Sequence, residues 1–166
     1  MEIGDLYPYW ERERDAMVVG LREIAEQLRA ERPAAEAERA FDWMPGGAKR
    51  SINDLLRHIA YVEHYIIEKL ILDRDPKTIL PGSVFPAAEY PTFDACIKLL
   101  HDVHDVTKMA CRRLDKADLK KELPAFRRTL PIERLLWSIV QEDAHHRGQI
   151  YMLLRMQEIA PPERKD

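Results

Sequence analysis

The sequence lacks any run of 18 or more apolar residues, so it contains no candidate for an ordinary membrane-spanning helix. Residues 1–5 do not follow the basic, apolar and small-residue order of a secretory signal peptide. An excess of positive charge is absent as well, because 26 Lys and Arg residues face 29 Asp and Glu residues. Nucleic acid phosphates and anionic lipids attract proteins that present a polybasic surface. We therefore expect a cytoplasmic protein that binds neither nucleic acid nor membranes.

Cysteine is scarce, with Cys96 and Cys111 as its two occurrences. Both fall in one predicted helix and lie about 22 Å apart at the helical rise, which excludes a disulfide between them in that conformation. Helical spacing places no basic group beside either thiol, so neither is expected to act as a nucleophile. We interpret both as small apolar side chains.

Strand patterns are also nearly absent, since no segment alternates apolar and polar residues over more than a few positions. Apolar residues instead recur at three- and four-residue steps in four long segments, at about residues 8–30, 51–73, 92–114 and 129–158. The chain is long enough to form one domain with a sizeable core. We predict an all-α fold, an up-down four-helix bundle that spans residues 1–166 as a single domain.

Proline and capping residues mark where the predicted helices begin and end. Pro33 breaks or reseats the first helix. Residues 75–90 contain three prolines, a composition that predicts a longer crossover between the second and third helices. Ser51 and Asp54 predict a capping box at the start of the second helix, because each side chain can bond to the other's backbone amide. Thr129 predicts the N-cap of the fourth helix.

A candidate metal site lies in the fourth helix, within the segment QEDAHHRGQ at residues 141–149. Glu142 and His146 are four residues apart and therefore share a helix face, which also carries apolar residues of the expected core. His58 falls on the apolar side of the second helix. Two facing helices would then supply two imidazoles and one carboxylate. These donors suit a divalent transition metal, and three ligands leave a position open for water or substrate.

Simpler interpretations remain open for these residues. Glu142 and His146 also fit a surface pair at i, i+4 spacing, or a core histidine satisfied by a hydrogen bond. A further alternative is that both residues hydrogen-bond to each other and to His58 and hold no ion. In that case a chelator would leave the melting temperature unchanged.

The other polar residues that could contribute to a metal or substrate site are expected to have simpler roles. His145 points about 100° away from His146 around the helix and is interpreted as a flanking solvated residue. Arg147 is expected to form a salt bridge with a nearby acid rather than to bind a substrate carboxylate. His101 and His104 are three residues apart without an obvious third donor, so they are interpreted as solvated histidines on a polar flank.

These residues resemble the DinB and YfiT-like superfamily of metal-binding four-helix bundles. The segment HRGQ at residues 146–149 resembles the family's signature in the fourth helix. His58, within LLRHIA at residues 55–60, is similar in position to the family's histidine in the second helix. The WMPGG segment at residues 43–47 resembles the family's approach to that helix. The resemblance covers nearly the whole chain, and it implies a DinB-like bundle with a divalent ion near a pocket covered by residues 75–90.

One position departs from the family pattern. Most members have a histidine four residues before the histidine of the HRGQ signature, where this chain has Glu142. The set His58, Glu142 and His146 is similar to that of thiol-dependent members, the mycothiol-dependent maleylpyruvate isomerases among them. The resemblance therefore implies that these three residues bind a metal ion, with zinc expected and nickel, manganese or iron as alternatives. It also implies an enzyme that activates a low-molecular-weight thiol for S-transfer or isomerisation of a small-molecule substrate.

Two other functions fit the same residues. A metal-dependent hydrolase needs the same open metal position, with water in place of the thiol. A non-catalytic bundle would keep the site as a sensor or a relic and would dimerise through exposed helix faces. Whichever of the three functions holds, we expect a homodimer. A Glu142→Gln variant separates these functions, because an enzyme would lose turnover while a relic would keep its fold and oligomeric state.

Overall fold

Helices dominate the structure, a computed structural model that describes residues 3–74 and 84–162. Helix accounts for 68% of it, which confirms the predicted all-α class of a DinB-like bundle. The α-helices are α1 (Ile3–Glu31), α2 (Ala34–Asp42), α3 (Ile52–His64), α4 (Phe93–Cys111) and α5 (Ile132–Met156). None of the helices in these described ranges is both long and apolar enough to cross a membrane.

The chain divides into two compact units. The terminal unit consists of Met1–Leu55 together with Asp143–Asp166, and the central unit consists of Leu56–Glu142. The division falls inside α3 and α5, and each of these helices is continuous across it. The single domain of residues 1–166 stays a prediction.

The first predicted helix forms as α1 and is followed by a second, shorter helix that the sequence did not separate clearly. Pro33 interrupts the helical hydrogen bonding, and α2 begins directly after it at Ala34. Ala37, Ala40 and Phe41 of α2 are buried. The residues around Pro33 therefore reseat the helix rather than end it, because an apolar face continues on both sides.

The capping box predicted for the second long helix is present at the start of α3. The Asp54 amide donates to the Ser51 hydroxyl at 3.1 Å, and the Ser51 amide donates to the Asp54 carboxylate at 3.0 Å. The helix continues as predicted to Ile71, but its last seven residues, Tyr65–Ile71, form a π-helix. Fixing the start of α3 sets the position of His58, which lies less than two turns further on.

A short β-hairpin precedes α5, where the sequence predicted a connection and a helix cap. Glu122–Ala125 (β1) pairs antiparallel with Arg128–Pro131 (β2). The prediction that Thr129 caps the helix is wrong, because Thr129 pairs with Pro124 in the hairpin and α5 begins at Ile132. The turn uses Phe126 and Arg127 at φ of 51° and 63°. Hairpin turns of this kind usually carry Asn-Gly, so the sequence contained no recognisable turn signal.

Candidate metal site

The structure brings the three predicted ligand residues together. One donor atom from each of His58, Glu142 and His146 lies within 4.8 Å of the other two. Among the residues that the structure describes, this is the one group of three or more histidine, cysteine and acidic residues close enough to share an ion. The helices α3 and α5 carry the three side chains.

His58 and Glu142 form the part of the site that lies within the central unit. His58 Nε2 and Glu142 Oε2 are 3.8 Å apart, with side-chain exposures of 10% and 44%. This distance is too long for a hydrogen bond. It is close to the separation of about 3.4 Å between two donors that share one tetrahedral zinc ion. The spacing of the pair is therefore compatible with a shared ion.

His146 follows Glu142 by one turn of α5, so the helix alone places both side chains on one face. The His146 residue is only 6% exposed. Its Nδ1 lies 2.7 Å from Oε1 of Gln149. An amide oxygen only accepts hydrogen bonds, so Nδ1 carries the proton and donates it. In the neutral ring Nε2 then keeps its lone pair, which is the form that ligates a metal.

Gln149 is therefore a site residue that sequence reasoning did not single out. Its amide nitrogen lies 3.2 Å from Nε2 of His145, a contact that agrees with an amide oxygen facing His146. The available signal was its position three residues after His146, on the same side of the helix. His145 itself is exposed, as predicted.

Two ion pairs within the terminal unit hold α5 against α1. Arg14 Nε donates to Asp143 Oδ1 at 2.9 Å, and both side chains are 3% exposed. Arg147 donates to the Glu13 carboxylate at 2.9 Å, which confirms the predicted salt bridge of Arg147. Asp143 and Arg147 each come directly after one of the proposed ligands on α5. These pairs therefore set the rotation of the helix that presents the site.

The donor set fits a divalent metal ion. His58 and His146 supply imidazole nitrogens from buried positions, and Glu142 supplies a carboxylate oxygen. Mixed nitrogen and oxygen donors suit zinc and the neighbouring first-row metals. Three protein ligands leave at least one coordination position open, which is the pattern of a catalytic rather than a structural site.

A pocket in the terminal unit is lined by His146. Its volume is about 350 Å³, within the range of small-molecule sites. The lining residues are Ala48, Lys49, Arg50, Leu55, His146, Gln149, Met152 and Leu153. Residues 84–90, the described part of the predicted cover 75–90, are not among the residues that line this pocket, and the cover stays a prediction. Residues 75–83 lie outside the described residues.

The pair of histidines on α4 differs from its interpretation as solvated. His104 is only 4% exposed, and its Nδ1 lies 2.9 Å from the Glu63 carboxylate, which is fully buried. Both residues belong to the central unit. The interpretation of His104 was wrong because its partner Glu63 is 41 residues away in the sequence, and helical periodicity does not identify such a partner.

The two cysteines are free, as predicted. Cys96 is buried, and burial raises the pKa of the Cys111 thiol to about 11, with a smaller contribution from the nearby Glu63 carboxylate. A raised pKa leaves little thiolate at neutral pH, so Cys111 is not poised as a nucleophile.

We expect Cys111 to react with iodoacetamide about a hundredfold more slowly in the native protein than in the urea-unfolded chain near pH 8. The ordinary pKa of 9.0 and the raised value of about 11 differ by two units, which lowers the thiolate fraction by that factor. Mass spectrometry of the Cys111 peptide over time gives both rates. Equal rates in the two states would contradict the effect of burial.

Comparison with known proteins gives one family. The sequence profile of the DinB superfamily matches residues 9–150 of the chain. No curated protein matches the sequence significantly.

Proposed function

We propose that this chain, which belongs to the DinB superfamily, binds one divalent metal ion and uses it to activate a low-molecular-weight thiol. His58, Glu142 and His146 are the proposed ligands, and zinc is the expected ion. The observation that carries the proposal is the clustering of their donor atoms within 4.8 Å. Such a cluster recruits side chains that are far apart in sequence, which accidental i, i+4 spacing on one helix does not do.

The proposed chemistry divides between the ion and the residues around it. A divalent ion supplies Lewis acidity that lowers the pKa of a thiol or water at its open position. Glu142 contributes one negative charge to the ligand set, and the two histidines contribute none when they are neutral. Gln149 keeps His146 in the tautomer that presents Nε2. His146 also lines the 350 Å³ pocket, which provides room for a small substrate beside a ligand residue.

The thiol reaction is proposed as S-transfer or isomerisation. Support comes from the resemblance of the His, Glu, His set to that of thiol-dependent family members. A metal-dependent hydrolase and a non-catalytic metal-binding bundle use the same ligands, and they are the other outcomes of the test. The expected homodimer is part of the proposal, and sedimentation equilibrium of the native protein measures it directly.

Metal content tests the binding proposal. We expect purified wild-type protein, loaded with excess Zn²⁺ or Co²⁺ and desalted, to retain about one ion per chain in elemental analysis. His58→Ala should retain almost none, because two ligands do not hold an ion through desalting. The matched control is His101→Ala, which removes a histidine of α4 outside the ligand cluster and should retain the ion. Wild-type protein that stays empty would overturn the proposal.

Turnover separates the three functions once metal binding is established. The loaded protein is assayed for consumption of a small thiol with an electrophilic acceptor, and separately for hydrolysis of activated esters. Thiol consumption that depends on the ion and falls in Glu142→Gln supports the S-transfer proposal. Ester hydrolysis alone would favour the hydrolase, and metal binding without either activity would favour the non-catalytic bundle.

A further inference from the structure

A second cavity lies in the central unit, beside the turn of the β-hairpin. Its volume is about 420 Å³, which is within the range of small-molecule sites. It is lined by Tyr65, the first residue of the π-helix, and by residues 124–129 of the hairpin. In the described part of the chain, none of the three proposed metal ligands lines it. The cavity is therefore separate from the candidate metal site.

Two cations of the hairpin line this cavity without acidic partners. Arg127 and Arg128 are both exposed, and neither side chain forms an ion pair or hydrogen bond with residues 3–74 and 84–162. No acidic residue in these described ranges lines the cavity either. The neighbouring Lys120 differs, because Glu133 pairs with it at 2.8 Å. The cavity therefore offers a ligand two positive charges that the described residues do not neutralise.

An aromatic ring is exposed next to these charges. Phe126 is 57% exposed although its side chain is large and apolar. Its ring lies against Tyr65, with ring centroids 6.3 Å apart and planes at 47°. Tyr65 in turn stacks against Tyr61, with centroids 6.3 Å apart and planes at 13°. The tyrosines thus support the Phe126 ring and leave more than half of the residue open to a second planar ring.

The hairpin turn places these side chains in a backbone conformation that they rarely adopt. Ala125 pairs with Arg128, so Phe126 and Arg127 form a two-residue turn. Their φ angles of 51° and 63° lie in the left-handed region, where glycine or asparagine is less strained. Strained residues of this kind are concentrated at functional sites, where they position groups that contact a ligand. The use of phenylalanine and arginine at these two positions therefore favours a binding role.

We propose that this cavity binds a small aromatic acid, with the carboxylate on Arg127 and Arg128 and the ring against Phe126. A guanidinium binds a carboxylate through two parallel hydrogen bonds, and a second guanidinium adds a further positive charge. Offset stacking on Phe126 orients the ring of the ligand. A polyanion such as nucleic acid requires a broader basic surface than two residues provide. The inference goes beyond the proposed thiol chemistry, since it uses none of the metal ligands.

A pair of probes of equal shape tests the proposal. The full chain is titrated against 2-naphthoate and against its uncharged analogue 2-naphthamide, and the fluorescence anisotropy of each probe reports binding. We expect naphthoate to bind about tenfold more tightly, the ratio that one charge-assisted contact provides. In the double variant R127Q/R128Q this preference should fall to about twofold or less. Wild-type protein that binds neither probe, or binds both equally, would overturn the proposal.

The matched control removes an adjacent pair of arginines elsewhere in the central unit. Arg112 and Arg113 follow α4, are exposed, and do not line the cavity. The double variant R112Q/R113Q changes the net charge by the same amount and should keep the preference, because salt screens charges at a distance. Loss of the preference in both double variants would show a general charge effect and overturn the assignment to Arg127 and Arg128.

The contribution of the ring is tested separately. Phe126→Leu keeps an apolar side chain in the turn but removes the aromatic face. Its affinity for naphthoate should fall about three- to tenfold, the usual contribution of an aromatic pair, while the preference over the amide stays. Unchanged affinity for naphthoate would overturn the placement of the ligand ring against Phe126.

Chemical protection of the wild-type protein gives a readout that needs no variant. Phenylglyoxal modifies accessible arginines, and mass spectrometry follows the modification of each arginine over time. Naphthoate at about ten times its Kd should slow the modification of Arg127 and Arg128 about tenfold, because bound ligand covers both side chains. Arg112 and Arg113 should react at unchanged rates. Equal protection of all four arginines, or of none, would contradict the proposed site.

Added zinc separates this site from the proposed metal centre. The affinity for naphthoate should be the same with and without Zn²⁺, because no proposed metal ligand in the described ranges lines the cavity. A preference for naphthoate that appears only with Zn²⁺, or that survives in R127Q/R128Q, would place the carboxylate elsewhere and overturn the inference.

Discussion

Asp143→Ala lowers the free energy of unfolding by about 3–5 kcal/mol, because it leaves the buried Arg14 guanidinium without its carboxylate partner. The Arg14 and Asp143 side chains are each 3% exposed and are joined at 2.9 Å. Water does not readily replace the lost carboxylate at such a buried position, so the desolvation of the charge is offset less fully. Urea unfolding followed by circular dichroism measures the loss, with equal m-values as the check on two-state behaviour.

The matched control removes an aspartate from an exposed pair. Asp102 pairs with Lys98 on the surface of α4, where the side chains are 60% and 75% exposed. Asp102→Ala should cost no more than about 0.5 kcal/mol, the usual value for an i, i+4 pair on a helix. Equal losses in the two variants would contradict the role given to burial. The double variant Arg14→Met with Asp143→Leu should recover much of the stability, since no uncompensated charge remains.

Gln149→Leu weakens metal binding by about 10- to 100-fold, the usual cost of losing the hydrogen bond that orients a ligating histidine. This expectation rests on the proposed metal site. Leucine is close to glutamine in size but cannot accept a hydrogen bond from Nδ1 of His146, so the ring loses a contact that fixes its rotation and its tautomer. Competition with a chromophoric zinc chelator gives the affinity of each variant.

Gln149→Glu is the matched conservative change. Its carboxylate still accepts from Nδ1 of His146, so most of the affinity should return. The melting temperatures of the metal-free variants provide a second check. If Gln149 only stabilised the fold, its replacement would lower the melting temperature of the metal-free protein in proportion to the loss of metal affinity. Gln149→Leu protein that binds metal as tightly as wild type would show that the hydrogen bond to His146 does not support the site.

Particular residues show how much of the fold could be predicted from the sequence. Helical periodicity correctly predicted the long helices, because a helix buries one face through contacts three and four residues apart. The capping box of Ser51 and Asp54 was predicted because both partners lie within one turn. Glu142 and His146 were assigned to one face for the same reason. His58 was selected from the six histidines of the chain because it falls on the apolar side of the second helix, and the family resemblance pointed to the same residue.

Other elements escaped prediction because their causes are not local. The hairpin turn uses Phe126 and Arg127 in a conformation that these residues rarely adopt, so composition did not indicate it. Gly20 lies inside α1, where a Cβ atom would clash with the side chain of Pro162. The glycine therefore makes room for the chain after α5 within the terminal unit.

The sequence by itself determined the long helices, the capping box of Ser51 and Asp54 and the shared face of Glu142 and His146, since all of these depend on spacings of one or two turns. Only the tertiary structure decided which distant residues meet. It placed His58 3.8 Å from Glu142, paired Arg14 with Asp143, and brought Lys49 and Arg50 to the pocket lined by His146. The physical reason is that such contacts depend on how whole faces pack, and packing joins side chains irrespective of their separation along the chain.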